Sequence, residues 1–188
     1  MQTRLKVLKD RDLMSVTGNL IAFCKFDWSE KNGPNIVVCI DATGIGAGVY
    51  DRIREMQKSG ELTMRIRFVE VHNGAAVKTI QRNPKKATER EKNEQKAYMN
   101  VGALAYNDLS EALKHGLRIK KLKAYLKQIP TRRFDYKSSG KLYIEPKKDY
   151  AKRMQMDSPD EADSLVLANF ARRFGSYGDY MRKIIGIK

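Results

Sequence analysis

The sequence is poor in the residues that define several large protein classes. Its 188 residues include two cysteines, Cys24 and Cys39, two histidines and one tryptophan. Two cysteines are too few for a disulfide framework, and their spacing does not suit a metal site, so both are expected as reduced thiols of an intracellular protein. His72 and His115 stand apart from other ligand-type residues and are expected at the surface. No stretch approaches the roughly 18 consecutive apolar residues that cross a bilayer. The opening residues, MQTRLKVLKDRD, lack the apolar core of a signal peptide, so a cytoplasmic location is expected. Acids are scarce as well: 22 Asp and Glu face 37 Lys and Arg, a formal net charge of +15.

Hydrophobic residues make up 41% of the chain, enough to bury a core and to exclude wholesale disorder. The length suits a single domain over 1–188, with a core from about 12 to 172. The charge points to a polyanion partner, nucleic acid foremost; the plainer alternative is that lysines keep a basic protein dispersed. Between Lys114 and Arg133 there are eight Lys and Arg and no carboxylate, a one-sign block that solvation alone explains poorly.

Residues 3–9 alternate weakly, as an edge strand would. Leu13, Val16, Leu20 and Phe23 recur at helical spacing, and Lys31-Asn32-Gly33-Pro34-Asn35 is turn chemistry. The β-branched run Ile36–Ile40 predicts a strand covered on both faces, followed by the glycine-rich turn Asp41–Gly48 and a helix from Val49 to Met56. Residues 62–71 alternate as a second strand. Residues 82–96 hold no large apolar residue and are expected to form a mobile loop, before a long helix from Gln95 to His115 that stops at Gly116. Arg133–Glu145 reads as a β-hairpin. Ser158-Pro159-Asp160-Glu161 opens a last helix with Ser at the cap and Pro at the first position. The remainder, 173–188, is a basic tail. The order of elements predicts an α/β fold with a mixed sheet flanked by helices.

Three places could carry chemistry. The glycine-rich turn follows a strand, where phosphates bind in dinucleotide folds. Its spacing is G-x-G-x-G with no Walker lysine, so tight turning is the better account of its glycines. Asp41 ends a strand, where ligands of open α/β sheets gather, although a lone carboxylate there also caps a turn. Asp160 and Asp163 share one face of the last helix. A helix dipole accounts for Asp160; it accounts less well for Asp163, beside the apolar face, where a carboxylate is costly unless it binds something. Two acidic clusters in a basic protein suggest carboxylates that position divalent cations for attack on a phosphodiester, with lysines and arginines holding the backbone.

At these residues the chain resembles the nuclease domain of tailed-phage terminase large subunits. The resemblance is carried by VVCIDATGIGAGVYDRI (Val37 to Ile53), LYIEPKKDYAKR (Leu142 to Arg153) and SPDEADSLVLA (Ser158 to Ala168), with Tyr98-Met-Asn100 on the intervening helix. It implies a ribonuclease-H-like fold and a two-metal endonuclease, using Mg2+ or Mn2+, that cuts concatemeric double-stranded DNA during packaging in the infected bacterium. Asp41 and Asp163 match two of its catalytic, metal-binding carboxylates, and Asp160 is a nearby supporting residue or alternative ligand. Lys147 falls on the family's basic position after the hairpin. Candidate DNA contacts are Lys120, Lys121, Lys123, Arg132, Arg133, Lys147 and Lys148. Implied partners are the terminase small subunit, the portal protein and an upstream ATPase fragment. The family's first strand, which bears another catalytic Asp, has no counterpart here, so the fold is expected to be N-terminally truncated. The alternative function is a catalytically incomplete module retained for DNA binding or for docking in the packaging complex.

Overall fold

The computed structural model describes residues 7–8, 12–28, 36–62, 66–80, 87–156 and 158–175. Internal contacts divide the chain into two compact units, Leu8–Val71 with Ala171–Lys188, and Met1–Val7 with His72–Phe170.

The first unit contains α1 (Leu13–Ala22), which continues as a π-helical segment to Trp28, then β1 (Ile36–Asp41), α2 (Ile45–Ser59) and β2 (Ile66–Val71). Asp12 opens α1 by accepting a hydrogen bond from the Ser15 N–H at 2.7 Å. The helical spacing of Leu13, Val16 and Leu20 brings these residues against a core of Ile40, Val49, Ile53 and Leu62. β1 and β2 pair in parallel, from Ile36 opposite Ile66 to Asp41 opposite Val71. Among the described residues β1 has this one neighbour. Ile36 and Ile40 are buried but Val37, Val38 and Cys39 only half-buried, short of the complete cover expected from their apolar run. Cys24 and Cys39 are both free thiols. Burial pushes them up to about 11 and about 12, so they stay protonated and unreactive at neutral pH.

The turn after β1 explains its glycines. Gly44 has φ +64° and precedes the first residue of α2. A Cβ on Gly46 would lie 1.8 Å from the Asp41 backbone carbonyl oxygen, and one on Gly48 would lie 2.4 Å from Leu13 Cδ1. The glycines let α2 start directly over the end of β1, as tight turning requires.

The second unit holds α3 (Glu89–Ala97), α4 (Val101–Lys114), α5 (Lys123–Gln128), the hairpin β3 (Phe134–Tyr136) and β4 (Leu142–Ile144), α6 (Lys147–Met154) and α7 (Asp160–Phe170). β3 and β4 pair antiparallel around the expected turn, where Gly140 takes φ +74°. Among the described residues the strands form two small sheets, one parallel and one antiparallel, and Tyr98 adds a single parallel bridge to Leu142. α4 packs on α7, and α5 packs on α7 as well. Val101, Leu104, Leu109, Leu165, Val166 and Phe170 are buried.

Several boundaries differ from expectation. The loop expected over 82–96 is helical from Glu89 onward. Thr88 and Glu91 form a reciprocal capping box there, and Arg90–Glu94 and Lys92–Glu89 ion pairs span single turns. No residue of α3 is buried, so local capping and charge pairs hold it without an apolar stripe to reveal it. The single helix expected from Gln95 to His115 is broken at Tyr98–Asn100. Asn100 caps α4 by accepting from the Ala103 N–H at 2.9 Å, while the Met99 N–H donates to the Leu142 carbonyl at 2.8 Å. The helix does end at Gly116, with φ +91°. Ser158 does not cap α7: its hydroxyl donates to Asp160 Oδ1 at 2.7 Å. Apart from Val7 and Leu8, which carry no strand, the edge strand expected over 3–9 lies outside the described residues, as do the turn at 31–35 and most of the basic tail.

Candidate functional site

The second unit carries a buried acid surrounded by polar partners. Asp163 lies in the first turn of α7 and is 7% exposed. Its Oδ1 accepts a short hydrogen bond from the Tyr106 hydroxyl on α4. Its Oδ2 lies 2.8 Å from Lys147 Nζ at the start of α6, an ion pair without aligned hydrogen-bond geometry. The same ammonium is 3.6 Å from Asp160 Oδ1. Burial, with the Asp163 carboxylate second, pushes the Tyr106 hydroxyl far above its ordinary range, which keeps it a donor toward Asp163.

The start of α7 is held from outside the helix. Gln128, buried at the end of α5, accepts the Ala162 N–H through Oε1 at 2.9 Å and donates through Nε2 to Glu161. A side chain 34 residues away in sequence thus satisfies a first-turn donor that Ser158 does not. Sequence reading missed both Gln128 and Tyr106. No spacing rule links them to Asp163, although a tyrosine facing the apolar side of α4 is a signal that it needs a partner.

Behind Tyr106 lies Arg132. Its guanidinium stands 5.2 Å from the Tyr106 ring centroid and 5.3 Å from that of Tyr150. Arg132 is 7% exposed: the two rings enclose it, whereas the other Lys and Arg of its basic block are exposed. Arg153 lies on Tyr150 as well, and it is held by Glu145, with Nε to Oε1 at 2.7 Å and Nη2 to Oε2 at 2.6 Å, and by the Thr131 carbonyl. Of the other expected DNA contacts, Lys120, Lys121, Lys123, Arg133 and Lys148 are exposed, while Lys147 is drawn into the acidic cluster.

Asp41 belongs to the first unit, at the end of β1. Its Oδ1 accepts from the Thr43 N–H at 3.2 Å and from the Thr43 hydroxyl at 2.8 Å, the turn-capping role that a strand-end Asp suggests. His72 and His115 are exposed, as expected.

No protein-family model matches the chain, and no curated protein matches it. Solved structures do. The nuclease domain of the large terminase subunit of bacterial virus Sf6 superposes with a TM-score of 0.55 at 16% identity, covering 76% of this chain and 68% of that one. A point mutant of that domain with manganese gives 0.55 at 16% identity, over 76% and 69%. The mutant with manganese and beta-thujaplicinol gives 0.56 at 15% identity, over 76% and 68%. This chain has the ribonuclease-H-like fold of a terminase nuclease domain.

The terminase-type fold raises the question of a metal, and the donor set answers part of it. Asp160 and Asp163 are oxygen donors of the kind a divalent cation takes. However, Lys147 already places a positive charge against both. Among the described residues no three His, Cys, Asp or Glu side chains are grouped to hold a metal ion. As they stand, the side chains around Asp163 do not complete a two-metal centre.

Proposed function

We propose that this chain works in viral DNA packaging as a terminase-type nuclease domain that cuts double-stranded DNA, with Asp41 and Asp163 as its acidic residues, Asp160 in support and Mg2+ or Mn2+ as cofactor. The observation that carries this reading is Asp163. A carboxylate is expensive to bury, and here it is kept at the start of α7 by a tyrosine hydroxyl and a lysine, in a fold shared with a terminase nuclease domain. The exposed Lys120, Lys121, Lys123, Arg133 and Lys148 supply the positive surface that a DNA backbone needs. Tyr106 fixes Oδ1 of Asp163, and Lys147 places a positive charge against Oδ2. A terminase small subunit, a portal protein and an ATPase segment are the partners such a role calls for.

The test is cleavage of supercoiled plasmid by the full chain with Mg2+ or Mn2+. Nicked and linear products are expected, with a loss of at least about a hundredfold in Asp163→Asn. Cleavage unchanged in a folded Asp163→Asn variant would remove Asp163 from the site. The second reading, a domain that grips DNA or docks in the packaging complex without cutting it, is favoured by one observation: Lys147 already places its charge against the acidic pair, and no third ligand joins them among the described residues. Salt-sensitive DNA binding with no product under either metal would establish that reading instead.

A further inference from the structure

Arg132 is a buried cation with unused donors. Its Nε and Nη1 are buried and accepted by no oxygen, and the residue is 7% exposed. The Tyr106 and Tyr150 rings attract the charge at 5.2 and 5.3 Å but offer no lone pair to the N–H groups. The charge of Arg132 reaches the Glu145 carboxylate, but neither Nε nor Nη1 finds an acceptor there. Both Glu145 oxygens bind Arg153 at 2.7 and 2.6 Å. Asp163 is shared between Tyr106 and Lys147. Buried N–H groups without an acceptor are costly, and an ion that completes them is one way in which a folded protein keeps such a group.

We infer that Arg132 is the receptor for a phosphate group. Resting on the reading of this chain as a DNA-acting domain, the phosphate is a backbone phosphodiester. A guanidinium presents a planar set of donors suited to phosphate oxygens, and this one is already oriented by two rings, so little side-chain freedom is lost on binding. Arg133 to Tyr136 are all exposed, and the Phe134 ring, 41% exposed, meets Tyr106 edge-on at 6.4 Å. The chain Arg132, Tyr106, Asp163 is continuous, so a phosphate held by Arg132 is tied through one tyrosine to the buried acid. Arg132 is in this sense a positioning residue, and the exposed lysines serve only as a general grip.

The experiment uses the full chain without divalent metal, so failure of cleavage does not bear on it. The Arg132 Nε–Hε resonance is assigned by through-bond correlation in the wild-type chain, and no variant has to fold. Inorganic phosphate is titrated in one arm and a short DNA duplex in the other. A saturable shift of this resonance is expected in both arms, at far lower concentration with duplex, and Arg132→Lys is expected to weaken duplex binding about tenfold. A resonance unmoved by either probe overturns the proposal. A shift with phosphate and none with duplex keeps the anion site and overturns its assignment to the DNA backbone.

Discussion

Glu145 and Asp163 show how differently two carboxylates are held in one unit. Asp163 is buried against a tyrosine and a half-exposed lysine, whereas Glu145 receives a two-point grip from Arg153. The Arg153 hydrogen bonds hold the Glu145 carboxyl below its ordinary value of 4.5. Because its folded value is depressed, the stability it contributes is fully present above 4.5 and is lost as pH falls through the lowered value. Wild type is therefore expected to melt at higher temperature than Glu145→Gln at neutral pH, with the gap constant down to mildly acidic pH and closing below 4.5. Thermal melts of both proteins across that range check it; a gap that persists unchanged into strong acid would mean that the pair contributes nothing through ionisation. At this scale the sequence was legible for Asp163, whose place beside an apolar face marked it as a carboxylate in need of a partner. It was not legible for Arg132. A run of basic residues looks uniformly exposed until the chain folds and two tyrosines close on one member.

Elements were readable where an apolar pattern or a turn residue defined them. α1, β2 and the hairpin arise where periodicity and turn chemistry place them, α2 starts four residues before and ends three residues after the expected Val49–Met56, and Gly116 ends α4 as expected. α3 was hidden because its support is a capping box and exposed ion pairs, which leave no hydrophobic period. The break at Tyr98–Asn100 was hidden because it depends on the Met99 N–H meeting the Leu142 carbonyl, a contact across more than 40 residues. The β1–α2 junction permits a sharp prediction. Gly46→Ala drives a Cβ into the Asp41 carbonyl, and backbone cannot swing aside as a flexible side chain can. A loss of about 3 kcal/mol is expected by urea denaturation. Gly44→Ala meets no atom within 4 Å, but φ +64° with ψ −125° lies outside the left-handed helical region and is avoided by L residues, so about 2 kcal/mol is expected. Equal losses at the two positions would show that close approach is not what the junction demands.

For the whole molecule, the +15 charge sets the expected interaction with DNA. Each lysine or arginine that neutralises a phosphate releases a counterion, so affinity for duplex should fall by orders of magnitude between low and physiological salt. Replacing Lys121 and Lys123, both exposed, with alanine is expected to lower the slope of log affinity against log salt by about two, with little dependence on DNA sequence. Fluorescence anisotropy across a salt series measures it. An unchanged slope would move the grip away from the start of α5. Among the described residues no helix is long and apolar enough to cross a membrane.

The sequence by itself determined the charge balance, the α/β alternation of elements, the glycine turn after β1 and the two acidic motifs. All of these follow from local propensity and composition, which need no knowledge of distant neighbours. The tertiary structure decided what the charged groups do. It set Lys147 against Asp160 and Asp163, gave the opening of α7 to Gln128, and enclosed Arg132 between Tyr106 and Tyr150. The physical reason is burial. In water each of these side chains is one more solvated polar group, and only the packing of distant helices removes the water and makes its remaining partners matter.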